Sequence, residues 1–271
     1  MDSIKFWGVQ GSCPGATYPD NLGSNTACVS IETNDTLIIL DAGTGLRNLG
    51  DAIEKRPFKT VALLLTHAHW DHIQGFPLFS YIYQDKPLLI YSHANNHIQT
   101  LLNQVNGVNF PVGKDTLRAK ITTTTNLTKV CKTLDLDIQT IKTNHNGNCI
   151  GYRIISKAWD VCYIPDNQLH EPIFTPFETF VSFCKNTNIL IHDSQYSQRD
   201  MPLKQDWGHS LYTDAFDLAM KSNASHFVLF HHEPTREKKD ILFFANDCQK
   251  KNQSIRVTAA TEFKSIDLLG N

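Results

Sequence analysis

The segment LLLTHAHWDHIQG (63–75) constrains this chain more than any other. An apolar run ends at Thr66, and the next six residues hold three histidines and an aspartate: His67, His69, Asp71 and His72. In an extended loop, His67 and His69 lie two apart and point the same way. Asp71 and His72 fall where a helix starts, so they approach the same space from another direction. Two imidazoles from one side and a carboxylate–imidazole pair from the other can serve two metal ions. Read instead as capping and surface polar residues, so dense a group directly after an apolar strand is hard to explain.

Apolar β-rich runs recur along the chain, at 4–9, 27–32, 36–43, 60–66, 87–92, 136–143, 149–156, 160–164, 188–193, 225–230 and 263–269. Continuous apolar runs mark strands covered on both faces. Helical patterns are expected at 45–56, 71–83 (interrupted by Pro77), 210–222 and 235–252. The early strands follow one another without helices, which favours a mixed layered sandwich over a doubly wound sheet. Residues 94–130 are polar with little periodicity, and read as a surface excursion or cap within a single domain spanning 1–271.

Further ligand candidates stand just past predicted strand ends. His145 follows the run ending near Thr143, Asp166 the run ending near Ile164, and His231 the run ending near Phe230. Loops leaving one edge of a sandwich bring such positions together. His232 is the alternative to His231. The donor set is imidazole and carboxylate only, which suits Zn²⁺ and tolerates Mn²⁺ or Fe. Cys162 lies inside a strand and reads as core.

HAHWDH (67–72) with the later His, Asp and His resembles the metallo-β-lactamase-fold hydrolases. IILDAGTGLRNLG (38–50), GSNTACVSIE (23–32), IHDSQY (191–196), WGHS (207–210) and LFHHEPT (229–235) extend the likeness over nearly the whole chain, toward the phosphodiesterase branch related to ribonuclease Z. Within that branch the chain is most similar to bacterial and phage enzymes that hydrolyse cyclic nucleotides, including the anti-Pycsar phosphodiesterases.

The resemblance implies an α/β fold, the αββα sandwich of two mixed sheets flanked by helices. It implies that His67, His69 and His145 bind one metal, that Asp71, His72 and His231 bind the other, and that Asp166 bridges them. Such a pair sits ~3.5–4 Å apart, lowers the pKa of a bound water towards ~7 and clamps the oxygens of a phosphoryl displacement. Asp71 is then catalytic as well as ligating, His209 protonates the leaving group, and Asp193 orients His209. The alternative for Asp193 and His209 is a helix-capping interaction near Ser210. Asp41 matches the carboxylate that steadies the HAHWDH loop. Asn25 and Thr26 either reach a phosphate or serve as turn residues. The sequence departs from the family at the bridging site, where PDNQ (165–168) stands in place of Asp-Thr or Asp-Glu. His192 reads as core or as support for the site, and His93, His97, His170 and His226 carry no motif.

The implied activity is metal-dependent opening of 3′,5′-cyclic nucleotides by a homodimer in which segment 94–130 helps close the neighbouring site. The alternatives are a ribonuclease Z-like endonuclease trimming tRNA, a thioesterase or lactonase, and a non-catalytic nucleotide-binding protein, whose expected mark would be missing ligands. Composition bears on the tRNA reading. Net charge is −2 from 25 Lys+Arg and 27 Asp+Glu, and 94–130 holds Lys114, Arg118, Lys120 and Lys129 but only Gly107 and Gly113. That is a poor version of a basic, Gly/Pro-rich tRNA-binding arm, and tRNA affinity rests largely on phosphate contacts. The start MDSIKFWGVQ lacks a secretory pattern, no apolar run approaches ~20 residues, and seven cysteines form no CxxC pair. A cytoplasmic protein with reduced thiols is expected.

Overall fold

A computed structural model describes residues 2–15, 22–170 and 173–270. The strands are β1 (Ser3–Gly8), β2 (Cys28–Glu32), β3 (Thr36–Leu40), β4 (Thr60–Leu64), β5 (Pro87–Tyr91), β6 (Lys120–Thr124), β7 (Asp137–Lys142), β8 (Ile150–Ile155), β9 (Asp160–Ile164), β10 (Ile189–Asp193), β11 (His226–Phe230), β12 (Arg256–Ala259) and β13 (Ser265–Asp267). The helices are α1 (Leu46–Ile53), α2 (Trp70–Ile73), α3 (Asn95–Leu102), α4 (Leu127–Leu134), α5 (Phe177–Phe183), α6 (Met201–Lys204), α7 (Tyr212–Lys221) and α8 (Lys238–Lys251).

Two mixed sheets result, a 7-stranded one in the order β13-β1-β2-β3-β4-β5-β6 and a 6-stranded one in the order β12-β11-β10-β9-β8-β7. Strands β3 to β6 are parallel, as are β9 to β12, with antiparallel pairs completing each sheet. Side chains alternate across each strand, and the alternation builds three apolar layers. Ile38, Leu40 and Leu64 meet Tyr152, Tyr163 and Phe230 between the sheets. Leu37, Ile39 and Leu63 turn outward to Leu46, Leu49 and Ile53 of α1. Cys162, Leu190 and Phe227 turn outward to α5, α7 and α8. The αββα arrangement therefore follows from strands that are apolar on both faces.

Three expectations change. Residues 71–83 form a single turn of α-helix followed by two 3₁₀ turns, Phe76–Leu78 and Ser80–Tyr83. Backbone crossing is the reason: Gly75 N donates to Ala42 O at 2.9 Å, and a Cβ at Gly75 would lie 1.9 Å from Gly43 O. Pro77 then removes a donor that a continuing helix needs. Residues 94–130 are not irregular, since they supply α3, the edge strand β6 and the start of α4. The helix expected from 235 begins at Lys238, with Glu237 at its N-cap.

All seven cysteines are free. No helix among the described residues is long and apolar enough to cross a membrane.

Candidate metal centre

The ligand candidates of the first sheet follow β4, while those of the second follow β7, β9 and β11. Backbone contacts join the two rims: Ile150 N donates to Thr66 O at 3.2 Å, and the Tyr152 hydroxyl bonds Leu65 O. At this seam three groups form, each offering ligand atoms within 4.8 Å of one another: His67, His69, His145 and Asp166; Asp71, His72, Asp166 and His231; and Asp193, His209 and His231. Asp166 belongs to the first two. Its Oδ2 lies 3.4 Å from His145 Nε2 and 3.8 Å from His67 Nε2. Its Oδ1 lies 3.0 Å from His72 Nε2 and 3.3 Å from His231 Nε2.

The outer ring nitrogens are tied to acceptors, which fixes the tautomers. His72 Nδ1 donates to Asp41 Oδ2 at 2.9 Å, His145 Nδ1 to Gly208 O at 2.9 Å and His231 Nδ1 to Gln195 Oε1 at 3.0 Å. Thr66 Oγ1 gives its one proton to Asp41, so at 3.1 Å it accepts from His67 Nδ1. Each ring thereby turns its Nε2 inward, where a bound cation would take the place of a proton. His69 instead turns Nδ1 to within 3.1 Å of His145 Nε2.

Buried polar atoms without hydrogen bonds include His67 Nε2, His72 Nε2 and Asp166 Oδ1, all facing the cluster. Such atoms are costly unless something compensates them, and a divalent cation with N and O ligands does so. The residues fit that group.

Electrostatics agree. Burial alone would raise the Asp166 carboxyl, but His231, His72 and His145 outweigh it and hold it well below the carboxylate range. Burial, reinforced by His72, keeps His67 well below the ordinary imidazole value. Burial, offset in part by Asp166, brings His145 down to about 4. Burial opposes a rise at His72 and His231, yet Asp166 and Asp71 push both rings up, toward holding a proton against two buried carboxylates.

His209 stands beside the cluster, its ring centroid 4.9 Å from His231 and 5.0 Å from His145. Its Nδ1 donates to Asp193 Oδ2 at 2.7 Å. Asp193 is buried and held by the backbone N–H groups of Asn167 and Gln195, at 3.0 and 3.1 Å. Asp71 is braced from outside by Ser12 N at 2.7 Å. His192 serves the core: its Nδ1 donates to Asp193 O at 2.7 Å and Asn167 Nδ2 lies 3.1 Å from its Nε2.

Of the two adjacent histidines, His231 enters the cluster. His232 points away, with Nε2 donating to Ala260 O at 2.9 Å. Asn25 and Thr26 are engaged within the protein. Asn25 is clamped by Glu262 through its backbone and side-chain nitrogens, and Thr26 is buried and exchanges hydrogen bonds of 2.9 Å with Thr44.

Sequence reasoning missed three contributors. Asn167 of the unusual PDNQ stretch joins the loops: its Oδ1 accepts from Asn144 N at 2.9 Å, beside His145, while its own N binds Asp193. His97 donates from Nε2 to Gly147 O at 3.1 Å, and a Cβ on Gly147 would lie 2.8 Å from His69 Nε2. Gln195 orients His231. The departure from the family pattern at 167 was the one visible signal among these.

A family model described as the beta-lactamase superfamily domain matches residues 36–232. The chain is 23% identical over 264 residues to the zinc phosphodiesterase ELAC protein 2 of Homo sapiens, covering 87% of this chain and 31% of that protein. The chain thus spans less than a third of the length of that relative. It is 20% identical over 284 residues to the ribonuclease Z of Natronomonas pharaonis, covering 84% of this chain and 86% of that one. In structure it is similar to the metallo-beta-lactamase fold protein YhfI from Bacillus subtilis, with TM-score 0.71, 19% identity and 98% of both chains covered. A diphosphatase from the PhnP family has TM-score 0.67 at 16% identity, again over 98% of both chains. With the family model spanning most of its sequence and two mixed sheets flanked by helices, this chain belongs to the beta-lactamase superfamily and carries its metallo-β-lactamase fold.

Proposed function

We propose that the protein is a metal-dependent phosphodiesterase that opens 3′,5′-cyclic nucleotides to nucleoside monophosphates, using two divalent ions, with Zn²⁺ the expected metal. One observation carries the reading: the Asp193–His209 pair, joined at 2.7 Å, stands next to the two ligand groups that share Asp166 and belongs to neither of them. Bound divalent cations supply Lewis acidity to phosphoryl oxygens and a nucleophile at neutral pH. His67, His69 and His145 would hold one ion, Asp71, His72 and His231 the other, with Asp166 between them.

The remaining steps belong to the side chains. With Nδ1 committed to Asp193, His209 uses Nε2 to hold a proton for the departing alkoxide, and Asp193 stabilises the ring when it is charged. A leaving alkoxide is a poor leaving group, so a diester needs this assistance. Asp71, braced by Ser12 N, keeps its carboxylate fixed while charge develops. The similarity to zinc phosphodiesterases supports the phosphodiester class.

A second reading, tRNA 3′ processing, is favoured by the similarity to an archaeal ribonuclease Z over 86% of its length. The two separate in one experiment. A panel of 3′,5′-cyclic mononucleotides and a precursor tRNA is incubated with the protein before and after chelation, with Zn²⁺ or Mn²⁺ restored. Metal-dependent opening of the cyclic nucleotides with tRNA intact supports the proposal. Clean tRNA cleavage with inert cyclic nucleotides replaces it with the second reading.

A further inference from the structure

Behind His231 lies a polar chain that no role in phosphodiester cleavage uses. Gln195 is almost fully buried. Its Oε1 accepts from His231 Nδ1 at 3.0 Å, while its Nε2 donates to Glu233 Oε2 at 3.0 Å and to Ser12 Oγ at 3.3 Å. Glu233 is itself held by Lys204 Nζ at 2.8 Å and by the Thr235 hydroxyl at 3.3 Å. The main chain of Gln195 is fixed from both sides, with N on Asp193 Oδ1 at 3.1 Å and O accepting from Arg236 at 3.2 Å.

The logic of these contacts is directional. An ionised carboxylate only accepts hydrogen bonds, so the Gln195 atom facing Glu233 is the NH₂ group. The amide carbonyl then has one direction left, toward His231 Nδ1. A carbonyl facing Nδ1 requires that nitrogen to carry the proton, and Nε2 is left with its lone pair toward Asp71 and Asp166. Without Glu233 the amide is free to rotate by half a turn. It would then present NH₂ to Nδ1 and favour the tautomer with a proton on Nε2, where a cation would sit.

We propose that Glu233 is a positioning residue for the metal centre, acting through the Gln195 amide to fix His231 in the tautomer that ligates. The inference rests on His231 being a ligand, and the experiment tests both statements separately. Zn²⁺ affinity is measured by competition with a chromogenic chelator, and the His231 ring ¹⁵N shifts are read in the zinc-loaded protein. Glu233→Gln and Gln195→Met are each expected to weaken Zn²⁺ roughly 10–100-fold, as loss of an outer partner does. The exchanged double variant Gln195→Glu/Glu233→Gln restores an acceptor-only group at Nδ1 and a donor behind it, and is expected to recover most of the affinity. Lys204→Met, which leaves the carboxylate in place, is expected to have a smaller effect than Glu233→Gln.

Packing alone would not make the exchanged pair better than the single variant. If Glu233→Gln and Gln195→Met both bind Zn²⁺ as the unaltered protein does, while His231→Ala does not, the positioning role is overturned and the ligand stands. An exchanged variant no better than Glu233→Gln alone overturns it as well. Unchanged affinity in His231→Ala removes the ligand assignment and the inference with it. Thermal melts of each variant separate unfolding from weakened binding.

Discussion

His72 Nδ1 and Asp41 Oδ2 are 2.9 Å apart, both fully buried, with His72 inside α2 and Asp41 just past β3. Asp41 also accepts from Thr66 N at 2.8 Å and from the Tyr163 hydroxyl at 3.1 Å, so one carboxylate gathers both sheets around the HAHWDH loop. It holds a left-handed backbone conformation, φ 62°, which Asp and Asn tolerate better than most residues. Asp41→Asn should therefore preserve the backbone while weakening the acceptor for His72. The expected loss of Zn²⁺ affinity is roughly 10–100-fold, readable by chelator competition with little change in the far-ultraviolet circular dichroism.

Asp166→Asn should abolish metal binding and phosphodiester hydrolysis together, because both oxygens of the carboxylate face ligand groups. Metal content after desalting, measured by elemental analysis alongside turnover, checks the pairing of the two losses. Retained metal with lost turnover would contradict a bridging role.

His209→Ala should keep its metal and lose turnover by about 10²–10⁴-fold, the usual contribution of a positioned acid. A substrate with a far better leaving group, such as a nitrophenyl phosphodiester, should lose much less. Equal losses on good and poor leaving groups would assign His209 another task.

Gly208 has φ 81°, its carbonyl receives the His145 Nδ1 proton, and a Cβ there would lie 2.7 Å from that nitrogen. Gly208→Ala should destabilise the fold by about 1–2 kcal/mol from the backbone conformation alone and displace His145 as well. Gly107→Ala is the control, since φ is 78° there but nothing lies within 4 Å of the added carbon. Urea denaturation should show a loss in both variants, and zinc retention should fall only in the first.

His226 lies away from the metal cluster, and its Nε2 bonds Thr258 Oγ1 at 2.8 Å. Burial, with a smaller push from Arg256, brings its pKa down to about 4. The unfolded chain takes up a proton near the ordinary value of about 6.5 while the folded chain refuses it. Stability from this group is therefore complete above about 6.5 and is lost as pH falls toward 4. Between pH 7 and 5 the unaltered protein should lose roughly 2 kcal/mol more than His226→Gln. Urea melts at both pH values measure that difference.

The layered architecture was legible because β3, β4, β10 and β11 are apolar on both faces, which only a strand covered twice requires. The seven residues read as ligands converge because all of them lie in the connection that follows a strand, Asp71 and His72 in the short helix α2, a position visible in a linear pattern. Strand β6 was not legible: KITTT lies at a sheet edge with its side chains largely exposed, so no alternation marks it. The short helix α3 buries only His97, Ile98 and Leu101, an apolar stripe too brief to stand out among its polar residues. Gln195 and Glu233 were invisible as contributors because their partners lie tens of residues away and their side chains are ordinary polar groups, while Asn167 showed only as a departure from the family pattern. Only the folded contacts reveal which atoms face each other.

The seam between Thr66 and Ile150 has a consequence for how such a molecule matures. Four of the converging side chains are made early in the chain, yet Asp166 and His231 are supplied by the far half, across the interface of the two sheets. A polypeptide that has paired only β1 to β6 holds His67, His69, Asp71 and His72 without Asp166 to join them. A complete set of candidate ligands is then a property of the finished molecule alone.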